Sequence, residues 1–308
     1  MADLIKYQMK RLIYCGLFCL LQNLYAHPTG NMISVGEYAL WSYIYPLDDP
    51  DHHACIMIWS QGNSPEIFIK SEHPASDYML YNRGEDIYII ERRYLASSDK
   101  FEIRILKTRI GEQPVEIWSW FEDNWRIGEG GFVMPSDEQI IFARFPNIYS
   151  LNKGAEPAIW FDFGFPLKRL RAVHNNNLLL IGENACRLIG MNGTIVREWN
   201  ALVDENVKNA PLNINQIFDA DYRDGELLLA YWGKRTFDII TVEGIRKIIQ
   251  QCRDPETPHW VAYIKNGKLL FASKLLFGGQ TPKPVLLLYR SQEEIRPIWG
   301  IPSVQIKP

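Results

Sequence analysis

The stretch richest in chemistry-bearing side chains is Asp48-Asp49-Pro50-Asp51-His52-His53. Carboxylate oxygens suit hard cations such as calcium, and imidazole nitrogens suit borderline divalent ions. Asp48, Asp49, Asp51, His52 and His53 are therefore a candidate metal-ligating set, with calcium or another divalent metal as the alternative to a cofactor-free protein. Their spacing matches neither an EF-hand nor an HExxH motif. Adjacent histidines on an extended chain also point in different directions. The competing reading is a solvated acidic turn. A second group is Glu91-Arg92-Arg93-Tyr94, which joins Trp125-Arg126 and Trp232 with Lys234 and Arg235 as a candidate basic, aromatic rim. Guanidinium forks suit carboxylate, phosphate or sulfate groups. The rings of Tyr94, Trp125 and Trp232 offer faces for sugar stacking or for capping a peptide. The competing reading is a set of exposed charges paired with acids such as Glu122 and Asp123.

Motifs for covalent or phosphate chemistry are missing. There is no Gly-x-Ser-x-Gly elbow and no GxGxxG or Walker loop. His73, His174 and His259 are scattered, and no catalytic residue is assigned. The net charge of -3 gives no basic footprint for nucleic acid. Cys55, Cys186 and Cys252 follow no zinc spacing, and Cys55 and Cys186 fall in apolar patterns of buried thiols. An odd number of cysteines after residue 26 excludes complete intramolecular pairing. Asn192-Gly193-Thr194 matches a glycosylation sequon but also makes a good hairpin turn.

The N-terminus reads as a secretory signal over residues 1–26. Lys10 and Arg11 precede the apolar run Leu12 to Leu21, and Leu24-Tyr25-Ala26 precedes His27. Met9 would give a more compact signal. Gln22 and Asn23 interrupt the run, which is short for a bilayer span, so the mature chain is expected to lack a transmembrane segment. The expected location is exported: periplasmic, cell-surface or extracellular.

What must position the candidate residues is a repeat. Polar turns run into apolar blocks at Tyr38, Ile87, Ile140, Leu178, Leu227 and Leu269. These anchors lie 49, 53, 38, 49 and 42 residues apart, and their mean falls within the roughly 40–50 residues of a four-stranded propeller blade. Each unit has the same grammar: an apolar strand A, the anchor block as strand B, a third strand, a tight turn, and a fourth strand often ending in Trp, as at Trp118, Trp160, Trp199 and Trp299. Continuous apolar blocks such as Leu227-Leu228-Leu229-Ala230 fit strands covered on both faces. Residues 27–308 are therefore expected to form one all-β domain, a six-bladed β-propeller of four-stranded antiparallel blades. A pair of β-sandwiches explains the regular period poorly.

On these blocks the chain resembles the secreted six-bladed propellers of the TolB-like and NHL-like superfamily. The resemblance is architectural and covers residues 31–300; the Gly-His and Trp-Asp signature of WD40 blades and the kelch double glycine are missing. Such propellers include partner-binding modules, lactonases and hydrolases, so the fold assigns no activity. Calcium-dependent lactonase-like members line the channel with Glu, Asn and Asp, for which the resemblance offers Asn215, Asp219, Asp221 and Glu129.

In a four-stranded blade the A–B and C–D turns emerge on one face, the B–C and D–A connections on the other. The long connections (residues 46–53, 91–100, 122–131, 200–216, 251–259 and 273–284) are B–C or D–A. Long loops on a rigid scaffold commonly carry function. The expected function is a binding module whose protein, peptide or glycan ligand sits on that face. The alternatives are a metal-dependent hydrolase or lactonase-like enzyme at the channel mouth, and a structural component of an envelope complex.

Overall fold

The computed structural model describes residues 30–44, 53–74, 76–122, 130–161, 164, 166–173, 177–274 and 284–299. They form six sheets of four antiparallel strands, each consecutive in sequence. Blade 1 holds β1 (Met32–Val35), β2 (Tyr38–Ile44), β3 (Ala54–Ser60) and β4 (Glu66–Lys70). Blade 2 holds β5 (Ser76–Arg83), β6 (Asp86–Leu95), β7 (Lys100–Thr108) and β8 (Val115–Glu122). Blade 3 holds β9 (Phe132–Ser136), β10 (Gln139–Arg144), β11 (Asn147–Asn152) and β12 (Ala158–Phe161). Blade 4 holds β13 (Arg169–Val173), β14 (Asn177–Ile181), β15 (Cys186–Gly190) and β16 (Ile195–Trp199). Blade 5 holds β17 (Ile217–Arg223), β18 (Glu226–Tyr231), β19 (Thr236–Ile240) and β20 (Arg246–Gln251). Blade 6 holds β21 (Glu256–Ile264), β22 (Gly267–Lys274), β23 (Pro284–Ser291) and β24 (Glu294–Trp299). The chain is a six-bladed β-propeller, as the repeat implies.

The first strands β1, β5, β9, β13, β17 and β21 contact one another in succession, and β1 meets β21, so they surround the axis. The core is split among the seams between blades. Strand alternation explains why the central blocks of the second strands are apolar on both faces. On β18, Leu227, Leu229 and Tyr231 pack toward blade 4, whereas Leu228 and Ala230 pack toward blade 6. On β2, Trp41 and Tyr43 face blade 6 while Leu40 faces blade 2. A blade alone would leave one of these faces wet; only the ring buries both. The fourth-strand tryptophans serve the same purpose. Trp118, Trp160 and Trp199 each sit in the seam to the following blade.

Ring closure, open at the level of sequence, is made by packing. Trp299 of blade 6 lies 5.7 Å from Trp41 and 5.1 Å from Tyr43 of blade 1, ring centre to ring centre. Phe271 and Trp260 complete this aromatic cluster. Met32–Val35 is the first strand of blade 1, and residues 300–308 lie outside the described residues. The first-to-second strand turns at 36–37, 84–85, 137–138, 224–225 and 265–266 are two residues long. Asp224 and Gly225 both have positive φ, 53° and 87°, the conformation that matches hairpin twist.

The structure corrects two of the expected loops. Residues 91–100 are mostly strand, because β6 runs to Leu95 and β7 starts at Lys100. The cause is cross-strand pairing of opposite charges and of rings: Glu91 faces Arg104, Arg93 faces Glu102 and Tyr94 faces Phe101. Residues 251–259 are also mostly strand, leaving 252–255 as the connection.

Candidate functional site at the channel mouth

The inner strands β13 and β17 carry charge at alternate positions, Arg169 and Arg171 on one and Asp219, Asp221 and Arg223 on the other. Period-two spacing brings the members of each set to one side of its strand. Arg171 joins three blades. Its guanidinium donates to Asp219 Oδ2 of blade 5 at 2.8 Å and to the Val261 carbonyl of blade 6 at 2.6 Å, and lies 3.3 Å from Asp221 Oδ2. Asp219 Oδ2 also accepts the Val261 amide at 3.1 Å, and Asp221 Oδ2 accepts the Tyr263 amide at 2.7 Å. Asp219 is 2% exposed. Burial raises its carboxyl above the usual carboxylate range, opposed chiefly by Arg171 and then by Arg169.

Arg169 begins β13, at the end where the D–A connections arrive. Its guanidinium donates to the Gly30 carbonyl at 3.1 Å and lies 4.8 Å over the Phe218 ring. Gly30 precedes blade 1, which stands opposite blade 4 in the ring, so Arg169 reaches across the axis. Gly30 is fitted tightly: at φ +89°, a Cβ there would lie 2.0 Å from Ser42 Oγ and 2.2 Å from the Tyr78 carbonyl oxygen. Beside Arg169, Phe218, Trp232 and His259 form an aromatic box with each pair of centroids 5.0 Å apart. His259 is fully buried; its Nδ1 lies 3.1 Å from the Thr257 carbonyl oxygen, and Ser273 Oγ lies 3.1 Å from Nδ1 and 3.3 Å from Nε2.

The residues of the proposed rim fall in two places. Arg92, Arg93 and Tyr94 belong to blade 2 and Trp232, Lys234 and Arg235 to blade 5, on opposite sides of the ring. Arg92 holds Asp77 with two bonds of 2.6 and 2.5 Å. Arg93 pairs with Glu102, Lys234 with Asp204 at 2.6 Å, and Arg235 with Asp254. Tyr94 donates to Asp99 at 2.9 Å. Trp232 is 2% exposed, covered by Phe218 and His259, and its indole N–H donates to the Pro211 carbonyl at 3.1 Å. Trp125 and Arg126 lie outside the described residues, as do Asp48, Asp49, Asp51 and His52. Of that acidic cluster only His53 is described, directly before β3.

Asp219 and Asp221 do not fit a metal, and Glu129 lies outside the described residues. A cation at Asp219 would have to displace the Arg171 guanidinium, and Asp221 shares that neighbour. Asn215 is engaged elsewhere, donating to the Asp204 carbonyl and accepting from the Tyr231 hydroxyl, each at 2.9 Å. Among the described residues no group of three or more His, Cys, Asp or Glu is placed to hold a metal ion. Sequence reasoning missed Arg169 and Arg171. The signal was present as Arg-Leu-Arg on one inner strand facing Asp-Ala-Asp on the next.

No family model and no curated protein matches the chain. Solved structures do. The nidogen/laminin complex aligns at 13% identity and a TM-score of 0.47, covering 83% of this chain and 88% of that one. A streptogramin B lyase aligns at 12% identity and 0.46, covering 82% and 98%. A Bacteroides caccae protein of unknown function aligns at 13% and 0.46, covering 73% and 81%. Among the described residues no helix is long and apolar enough to cross a membrane.

Proposed function

We propose that this chain is an exported binding module that engages a protein, peptide or glycan on the face of its B–C and D–A connections. Export rests on the charged and apolar run of residues 10–21, and places the protein in the periplasm, at the cell surface or outside the cell. The binding reading rests on one observation above the rest: Arg169 and Arg171 span the axis just inside this face. A ligand arriving there meets these hydrogen-bonded guanidinium groups beside the long connection 200–216. The opposite face offers the two-residue A–B turns and C–D turns of at most six residues, with no described connection as long as 200–216. The channel acids are committed to Arg171 and to backbone amides, which weighs against chemistry in the channel.

The test is to screen the exported protein in parallel against a random dodecapeptide phage library and a glycan array. Hydrogen exchange then maps whatever binds. Protection at residues 182–185, 200–216 and 232–235 is the expected result. Ligands that protect only the face of A–B and C–D turns, or no ligand from either screen, would overturn the proposal.

A further inference from the structure

The seat of Gly30 and Asn31 fixes where the chain enters the ring. The Asn31 carboxamide docks on the inner strand of blade 2. Its Nδ2 donates to the Leu80 carbonyl at 2.7 Å, and its Oδ1 accepts the Leu80 amide at 2.8 Å. A side chain thus satisfies both backbone groups of Leu80 on the open inner edge of β5, as a neighbouring strand would. The Asn31 amide donates to Ser42 Oγ and the Ser42 amide to the Asn31 carbonyl, each at 3.2 Å. One residue earlier, the Gly30 carbonyl takes the Arg169 guanidinium of blade 4 at 3.1 Å. Two residues therefore tie blades 1, 2 and 4 together across the axis, with no room at Gly30 for a side chain.

Residues 1–29 lie outside the described residues. Removal of the signal after Ala26 leaves three residues, 27–29, before Gly30. An extended chain spans at most about 3.6 Å per residue, so the bond to be cut lies within roughly 12 Å of the Gly30 Cα. A peptidase domain of about 100 residues already has a radius of gyration of about 13 Å. It is too wide to follow the chain between the inner strands. We infer that the signal is removed before Gly30 and Asn31 are seated, and that a chain whose ring closes first is locked against processing. In the cut, water adds across the Ala26–His27 bond, freeing the Ala26 carboxylate and the His27 α-amino group. Cutting a folded precursor requires the seat to open, so its rate follows the opening equilibrium. The inference rests on the export reading of the N-terminus.

The test uses the full-length chain, folded in detergent, with residues 21–26 replaced by the recognition site of a sequence-specific protease. A second form carries about ten Gly and Ser residues between that site and His27, which moves the cut clear of the ring. Gel electrophoresis follows both cleavages. The spaced form should be cut at least tenfold faster while folded, and the two forms equally fast in a urea concentration that unfolds the chain but spares the protease. Asn31→Ala removes both bonds to Leu80; it should speed the adjacent cut by roughly tenfold and leave the spaced one unchanged. Equal rates for the two folded forms would overturn the inference, as would an adjacent cut that Asn31→Ala leaves as slow. N-terminal sequencing of the protein recovered from the envelope or medium of its host checks the export reading separately. An N-terminus still beginning at Met1 or Met9 would remove that reading, whatever the cleavage rates show of the seat.

Discussion

Replacing Arg171 by Met tests whether the inner ring is held by the charge network that crosses it. Met keeps the length and apolar stem of the side chain but removes its bonds to Asp219 and the Val261 carbonyl. Asp219 would remain buried with only the Val261 amide. Breaking a buried ion pair from one side costs about 3–5 kcal/mol, mostly from the charge left behind. At ~2–4 °C per kcal/mol for a large domain, the melting temperature should fall by roughly 6–20 °C. The double variant Arg171→Met/Asp219→Leu removes that charge. It should lose less than the two single losses added together, with a coupling of about 2 kcal/mol. The pH dependence has a definite sign. Burial already raises the Asp219 carboxyl, and Arg171 is the main influence holding it down. Without Arg171 it rises further, so the native state holds the proton more tightly than the unfolded chain does. Stability from such a group is present on the acid side and lost as pH rises. The deficit of Arg171→Met should therefore shrink from neutral pH toward the carboxylate range. Urea unfolding at several pH values reads all of this. A single-variant loss below about 1 kcal/mol, or additive losses in the double variant, would refute the argument.

Three further outcomes are expected. Gly30→Ala places a Cβ 2.0 Å from Ser42 Oγ at φ +89°; it should cost at least about 2 kcal/mol in urea unfolding, and a neutral result would mean the segment is not seated there. Lys107 foremost, then Tyr88 and Arg83, hold the Asp137 carboxyl at about 2 against an ordinary 3.8. A lowered carboxyl stabilises the fold above its ordinary value and loses that contribution as pH falls. Because Asp137 is 44% exposed, the loss through that window should be only about 1 kcal/mol, and Asp137→Asn should abolish it. Cys55, Cys186 and Cys252 are buried thiols outside any disulfide. Burial pushes the last two well above the ordinary thiol range, so none should react with a disulfide reagent until the protein unfolds. Rapid labelling of the native protein would contradict that packing.

Most of the fold was legible from sequence, while the candidate site was legible only in part. The anchors at Tyr38, Ile87, Ile140, Leu178, Leu227 and Leu269 all lie on second strands. They were readable because hydrophobic blocks and turns are local signals. In sequence Arg92, Arg93 and Tyr94 look like loop residues because a charged run looks solvated. Their partners Asp77, Glu102 and Asp99 become neighbours through strand pairing or turn closure. Trp232 was read as a rim ring, yet Phe218 and His259 cover it, and each comes from a different inner strand.

The sequence by itself determined the period and the strand order within each blade. These follow from turn chemistry and from side chains alternating along a strand. Only the tertiary structure decided how the ring closes and which charges meet. Trp41 and Trp299 are joined across the ends of the described chain, and Arg169 and Arg171 reach blades whose positions exist only once all six are assembled. Contacts of that range depend on where the axis lies, and a linear pattern of residues contains no axis.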